Sequence, residues 1–187
     1  HNFIESAISK GASSIIVSKK SLAMKYNGLL VIDTNKALMQ LAKFARNRFK
    51  GTTIAVTGSS GKTSTNYLIS SCLKKFGQTH HTLGNNNNII GLSLTLSRLP
   101  QDYQFCVLEL GMNRKGEIEE LTKIAKPDIA LITNVSNSHI ANFENEKDIA
   151  FAKSEIFSNL GLNGVAIINS DNLWSQFLVS KAQKQKS

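Results

Sequence analysis

No apolar run in this sequence approaches the ~20 residues needed to cross a bilayer. The first residues, His1-Asn2-Phe3-Ile4-Glu5, lack an initiator Met, a basic leader and an apolar segment, so they do not read as a signal peptide. The chain is therefore expected to be a piece of something longer. Cysteine is scarce. Cys72 and Cys106 fall in an expected helix and an expected strand without metal-ligand spacing, and they read as two buried thiols of a reducing compartment. No internal repeat and no low-complexity linker is present. Acidic residues are few, 13 against 22 basic ones, for a net charge of +9. One reading of that charge is a nucleic-acid module. Against it, the basic residues are scattered, three sit in the tail Lys181, Lys184 and Lys186, and no aromatic residues interleave with them. A positive surface serves an anionic nucleotide equally well. The 187 residues, 41% of them hydrophobic, suffice for one good core and part of a second.

The most informative stretch is Thr57-Gly58-Ser59-Ser60-Gly61-Lys62-Thr63. It follows an apolar run, Thr53-Ile54-Ala55-Val56, that reads as a buried strand, and it precedes a helical pattern. Backbone N–H groups in such a turn and in the first helical turn have no internal partner, and the helix dipole adds positive charge. Lys62 would reach the β- and γ-phosphates of ATP or GTP, and the Thr63 hydroxyl would take one position on Mg²⁺. The general phosphate-loop pattern places a glycine where this chain has Val56.

Residues 1–50 read as a small α/β piece: a helix end at Phe3–Ile8, short strands at Ser14–Val17 and Leu29–Ile32, and a helix capped by Asn35. From Thr52 the rhythm becomes strand, helix, strand, helix. Strands are expected at 52–57, 104–110, 128–133 and 164–168, and helices at 62–76, 87–98, 116–125 and 146–160. Continuous apolar strands such as Cys106-Val107-Leu108 suggest burial on both faces, hence a parallel sheet. The fold class is α/β, a doubly wound, mostly parallel sheet of P-loop type preceded by part of a small α/β domain, with ligands at the carboxyl ends of the strands. Residues 175–187 read as a truncated helix or a frayed end.

Several polar residues fall where such a sheet places its site. Glu109 ends a strand, where a carboxylate beside a phosphate loop commonly holds Mg²⁺; the alternative is a surface acid. Asn134 and His139 lie in a polar loop just past a buried strand, a position that suits metal or substrate. The run Asn85-Asn86-Asn87-Asn88 opens an amphipathic stretch, and its amides suit a phosphate- or peptide-bearing ligand, or else a solvated helix cap. Lys153, read from its helix alone, is an exposed lysine.

Together the segments Thr57 to Ser64, Gly84 to Gly91, Glu109-Leu110-Gly111-Met112-Asn113 with Gly116-Glu117-Ile118, Pro127 to Ala130, Asn134 with His139, and Ala152-Lys153 with Glu155-Ile156 resemble the Mur ligase family in order and spacing over residues 52–160. These are ATP-dependent amide-forming ligases of peptidoglycan precursor synthesis. The Asn-rich and Glu-Leu-Gly-Met-Asn segments resemble the branch that joins D-alanyl-D-alanine to UDP-N-acetylmuramoyl-tripeptide through an acyl phosphate. The resemblance implies that residues 1–50 end an N-terminal UDP-sugar domain, that 51–187 are an incomplete central ATP-binding domain, and that a third domain is absent, so the fragment alone would be inactive.

It further implies ATP and two Mg²⁺ ions as cofactors, UDP-N-acetylmuramoyl-tripeptide and D-alanyl-D-alanine as partners with no nucleic acid or membrane, a bacterial cytoplasmic setting, and a monomer at full length. By the same resemblance Gly58, Ser59, Ser60, Gly61, Lys62, Thr63, Ser64 and Asn169 face ATP, and Asn87 and Asn88 face substrate. Thr63, Glu109, His139 and a carbamylated Lys153 are the metal ligands, and Lys62, His139 and Lys153 are catalytic. Ile89 stands where relatives usually carry an acid. The alternatives are another Mur-type ligase, one like folylpolyglutamate synthase or cyanophycin synthetase, or a nucleotide-binding fragment without turnover.

Overall fold

The computed structural model describes residues 1–136, 143, 145–161 and 163–184. At the N-terminus, α1 (Ile4–Ser9) leads to β1 (Ile16–Val17), α2 (Lys20–Tyr26) and β2 (Leu29–Leu30). The two short strands pair in parallel. Neighbouring parallel strands need a crossover, and α2, which the sequence pattern did not suggest, supplies it. Asn27 ends α2 in the left-handed conformation (φ 48°).

Helix α3 (Thr34–Arg48) is capped by Asp33 and not by Asn35: the Asp33 carboxylate accepts from the backbone N–H of Asn35 at 2.7 Å and of Lys36 at 3.1 Å. Asparagine can cap, but here the aspartate two residues earlier already occupies the extended cap position. Ala42, together with Phe49 just beyond the helix, lies in the main core. Arg46 donates to the carbonyls of Ala125 and Lys126, both at 2.6 Å, which ties α3 to the end of a helix described below.

The remaining elements are β3 (Thr52–Thr57), α4 (Lys62–Leu73), β4 (Thr79–His81), α5 (Ile89–Ser97), β5 (Phe105–Glu109), α6 (Glu117–Ala125), β6 (Ile129–Ile132), α7 (Glu146–Ser154) running into a 3-10 turn (Glu155–Phe157), β7 (Val165–Ile168) and α8 (Ser175–Lys184). All five strands from β3 onward are parallel, in the order β4-β5-β3-β6-β7. Strand β4 went unforeseen because three residues, two of them histidine, carry no apolar signal. Helix α8 is regular where a frayed end was an option. Cys72 lies exposed on α4, against the expectation of two buried thiols, while Cys106 is buried. Among the described residues no helix is long and apolar enough to cross a membrane.

Alternation along the strands builds two cores. Ala55, Cys106, Leu108, Ala130 and Ile132 face Leu92 and Leu96 of α5, Ile118 and Leu121 of α6 and Ile149 of α7. Ile54, Val56 and Val107 face Ile69 and Leu73 of α4. Helices therefore cover both faces, which explains the nearly continuous apolar strands. The topology positions the site. The chain leaves β3 to one side, returns through β5 beside it, then crosses to β6 on the other side. The carboxyl ends of β5, β3 and β6 meet where the strand order reverses, the place where such sheets bind ligands.

Candidate nucleotide site

The turn after β3 is shorter than the general phosphate-loop pattern, and Val56 shows why. It is a fully buried strand residue, and β3 continues through Thr57 before the turn begins at Gly58. The loop is braced from outside by the segment after β6. Asn134 accepts the N–H of Ser60 on Oδ1 at 2.9 Å and donates through Nδ2 to the Ser60 hydroxyl at 2.8 Å. Its backbone carbonyl accepts the N–H of Ser59 at 3.0 Å. Thr133 Oγ1 donates to the Ser60 carbonyl at 2.7 Å, and the Ser59 hydroxyl exchanges bonds with both the N–H and the carbonyl of Ser136, each at 2.9 Å. Asn134, read from sequence as a metal- or substrate-side residue, thus commits both ends of its carboxamide to the loop. With Ser59 and Ser60 held this way, the outward donors are the amides of Lys62, Thr63 and Ser64, which as the first turn of α4 have no intrahelical partner. Gly61 precedes them at φ 76°, a conformation that favours glycine.

Gly58 is required by space. A Cβ built on it would stand 1.8 Å from Thr133 Oγ1. Gly58→Ala is expected to destabilise the fold by about 1–3 kcal/mol, as overpacking does, and to displace the brace; urea denaturation of the variant against the parent checks this.

Lys62 lies half-buried at the base of the loop, its ammonium donating to the Gly58 carbonyl at 2.8 Å. Burial lowers its pKa, and the nearby Glu109 charge opposes that. Glu109 is no surface acid: it is 2% exposed at the end of β5. Its Oε2 accepts from Thr63 Oγ1 at 2.8 Å and its Oε1 from Asn87 Nδ2 at 2.8 Å. Its backbone N–H donates to Thr82 Oγ1 at 3.0 Å.

Lys153 is also buried, 2% exposed, which overturns the reading of an exposed helix lysine. The reason is the docking of α7's end. Glu155 accepts the N–H of Gly116 at 2.7 Å and that of Glu119 at 3.3 Å, so it caps α6 from outside. Desolvation brings the Lys153 amine down to about 7, and the Lys62 charge adds to the effect. Gly58, Lys62, Asn87, Met112, Glu117 and Lys153 are among the residues lining one cavity of about 310 Å³.

The other expected site residues divide. Asn88 lines the same cavity but also caps α5, accepting the N–H of Gly91 at 2.9 Å. Asn169 sits past β7, forming a turn with Asp171 and leaning on the Thr133 carbonyl at 3.4 Å, outside the cavity lining. His139 lies outside the described residues. Sequence reading gave Thr133 and Glu155 no role of their own. The Thr-Asn pair following an apolar strand was an available signal for the first, whereas nothing local marks Glu155 as a helix cap in space.

The donor set fits magnesium. A buried carboxylate and a helix-start hydroxyl share one bond, with a cavity beside them. Mg²⁺ is commonly held by one or two hard protein oxygens plus water and phosphate, not by an all-protein cage. Among the described residues no cluster of three or more His, Cys, Asp or Glu suited to a metal occurs.

Comparison with known proteins decides the family. The Mur ligase middle domain matches residues 56–187. The chain belongs to the Mur ligase family. A curated relative from Buchnera aphidicola subsp. Baizongia pistaciae, named UDP-N-acetylmuramoyl-tripeptide–D-alanyl-D-alanine ligase, is 44% identical over 95% of this chain and 39% of its own length. The crystal structure of MurF from Acinetobacter baumannii superposes with a TM-score of 0.86 at 34% identity, covering 98% of this chain and 41% of that one. MurF from Thermotoga maritima, solved in complex with ADP, gives 0.82 at 32%, covering 99% and 42%. The chain thus spans about two fifths of the length of the relatives it matches. Its five-stranded parallel sheet is the fold of the Mur ligase middle domain.

Proposed function

We propose that this Mur ligase chain carries the ATP-binding core of an enzyme that joins D-alanyl-D-alanine to UDP-N-acetylmuramoyl-tripeptide. The observation that carries the proposal is the meeting of Lys62, Thr63 and Glu109 at the ends of β3 and β5, with Thr63 Oγ1 2.8 Å from Glu109 Oε2. The name of the curated relative supplies the two substrates, and the ADP complex of the Thermotoga maritima protein supports the nucleotide. In this reading residues 1–50 end the UDP-sugar domain and the rest is the ATP-binding domain.

The proposed reaction has two steps. A carboxylate oxygen of the tripeptide attacks the γ-phosphorus of ATP, the bond to the bridging oxygen breaks, and ADP leaves. The amine of D-alanyl-D-alanine then attacks the acyl phosphate carbonyl, releasing inorganic phosphate and a proton. Two anions must approach each other, so the protein's share is alignment and charge neutralisation. The amides of Lys62, Thr63 and Ser64 receive phosphate oxygens, with the Asn134 brace fixing the turn before them. Lys62 exchanges its bond to the Gly58 carbonyl for the β- and γ-phosphates. Thr63 and Glu109 would hold one magnesium ion, and His139 with a carbamylated Lys153 a second. Magnesium, when bound, supplies positive charge against the polyphosphate and the transferring oxygens. In this reading Asn88, which lines the cavity, contacts substrate, and Asn169, outside its lining, contacts ATP.

Calorimetric titration of ADP into the chain, with and without Mg²⁺, tests this. Binding strengthened by Mg²⁺ is expected. Glu109→Gln is expected to lose most of the strengthening, because it keeps the shape and removes the charge. A native chain that binds no ADP in Mg²⁺ sinks the reading.

A further inference from the structure

Asn87, expected to touch substrate, lines the cavity and also contacts the strand-end carboxylate. Nδ2 donates to Glu109 Oε1, while the other carboxylate oxygen faces Thr63. The Asn87 backbone is fixed as well: its carbonyl accepts the N–H of Gly111 at 2.9 Å. On its other side the carboxamide lies against Gly111, where a built Cβ would come within 2.7 Å of Asn87 Oδ1. The amide is therefore clamped between the strand end and the carboxylate, and the absent side chain of Gly111 makes room for it. The main chain of Glu109 is anchored as well, its N–H donating to Thr82 Oγ1.

We infer that Asn87 is a positioning residue that makes Glu109 a one-oxygen metal ligand and thereby selects Mg²⁺ over Ca²⁺. This rests on the nucleotide-site reading above. A carboxylate can offer a cation one oxygen or both. Mg²⁺ demands near-octahedral geometry and small, single contacts, whereas Ca²⁺ accepts six to eight oxygens and readily takes a carboxylate through both. With Oε1 engaged by an amide backed by Gly111, Oε2 is the oxygen presented beside the Thr63 hydroxyl. Partners that orient a metal ligand commonly change metal affinity on the order of 10–100-fold when removed. In the Asn87 variants part of that loss should fall on discrimination between the ions, because a freed carboxylate can turn to offer both oxygens.

The test is titration of a fluorescent ADP analogue into the chain without divalent ion, with Mg²⁺ and with Ca²⁺. Each protein is scored by the ratio of its Mg²⁺ gain to its Ca²⁺ gain, so that a general weakening of nucleotide binding cancels. The native chain is expected to favour Mg²⁺. Asn87→Leu removes the donor, and Gly111→Ala pushes the carboxamide off the carboxylate from the opposite side; both are expected to reduce the ratio about tenfold or more. Either variant suffices if the other fails to fold. An unchanged ratio in a folded variant that still binds ADP overturns the inference alone, as does a native chain with no preference for Mg²⁺. A native chain that binds no ADP under any condition overturns the nucleotide-site reading and the inference with it.

Discussion

Lys62→Met is expected to lower the affinity for Mg²⁺-ADP by about one to two orders of magnitude while the thermal midpoint of the free protein stays level or rises. A hydrogen bond from a charged donor contributes ~1.5–3 kcal/mol, which at 1.4 kcal/mol per tenfold gives that range. In a full-length ligase of the proposed kind, turnover should suffer more, on the order of a thousandfold, because the ammonium meets charge that grows in the transition state. The stability half of the prediction follows from the free structure. Lys62 is half-buried, its ammonium donates to the Gly58 carbonyl, and burial depresses its pKa more than the nearby Glu109 charge restores it. A half-buried cation held by one carbonyl is a cost to the fold, and methionine fills similar space without it. Lys62→Arg is expected to bind poorly as well, since a planar fork does not reproduce a point charge at the base of a tight turn. Calorimetric titration and thermal denaturation of the same preparations check both halves. Near-native affinity in the methionine variant would remove the phosphate-loop assignment.

The sequence pattern disclosed most of the sheet because periodicity and loop chemistry agree there. β3, β5, β6 and β7 fall within a residue of expectation at each end, and Asn88 caps α5 as an asparagine run at a helix start should. What stayed hidden depends on contacts distant in sequence. Asn134 lies 74 residues from Ser60, so nothing local marks it as a brace. Its neighbours in the chain suggested a ligand role instead. The same holds for Asn87, whose partner Glu109 comes from the next strand. Lys153 is the clearest case. Read from its own helix it is an exposed lysine, and the docking of that helix, with Glu155 gripping the start of α6, buries it. The resemblance to the Mur ligases gave Lys153 a role before any physical reason for its burial was visible, and the structure provides the reason.

That burial leads to the second large effect. In a full-length ligase of the proposed kind, Lys153→Met is expected to abolish the reaction almost completely, and Lys153→Ala to be partly restored by short carboxylic acids such as acetate. Among the described residues no carboxylate pairs with Lys153, and its charged neighbour is another cation, Lys62. With a pKa of about 7, a large share of the amine is neutral at neutral pH. A neutral amine is the form that adds CO₂: the Nζ–C bond forms, one proton is released, and the product is a carbamate. The addition reverses the local charge, so repulsion from Lys62 becomes attraction and the cavity gains a second hard oxygen ligand. In ¹³C-bicarbonate buffer near pH 8 the native chain is expected to give a carbamate carbon signal that Lys153→Met lacks.

The pH dependence in CO₂-free buffer has a definite sign. Below about 7 the folded and unfolded chains both carry the Lys153 proton, so the folded state bears the full cost of the buried charge. Between about 7 and the ordinary 10.5 the unfolded chain holds more protons, and stability rises with pH. The advantage of Lys153→Met over the parent should therefore be largest below pH 7 and shrink steadily up to 10.5. A difference in melting temperature that is flat across this range, with no carbamate signal and no acetate rescue, would reduce Lys153 to a packed core residue.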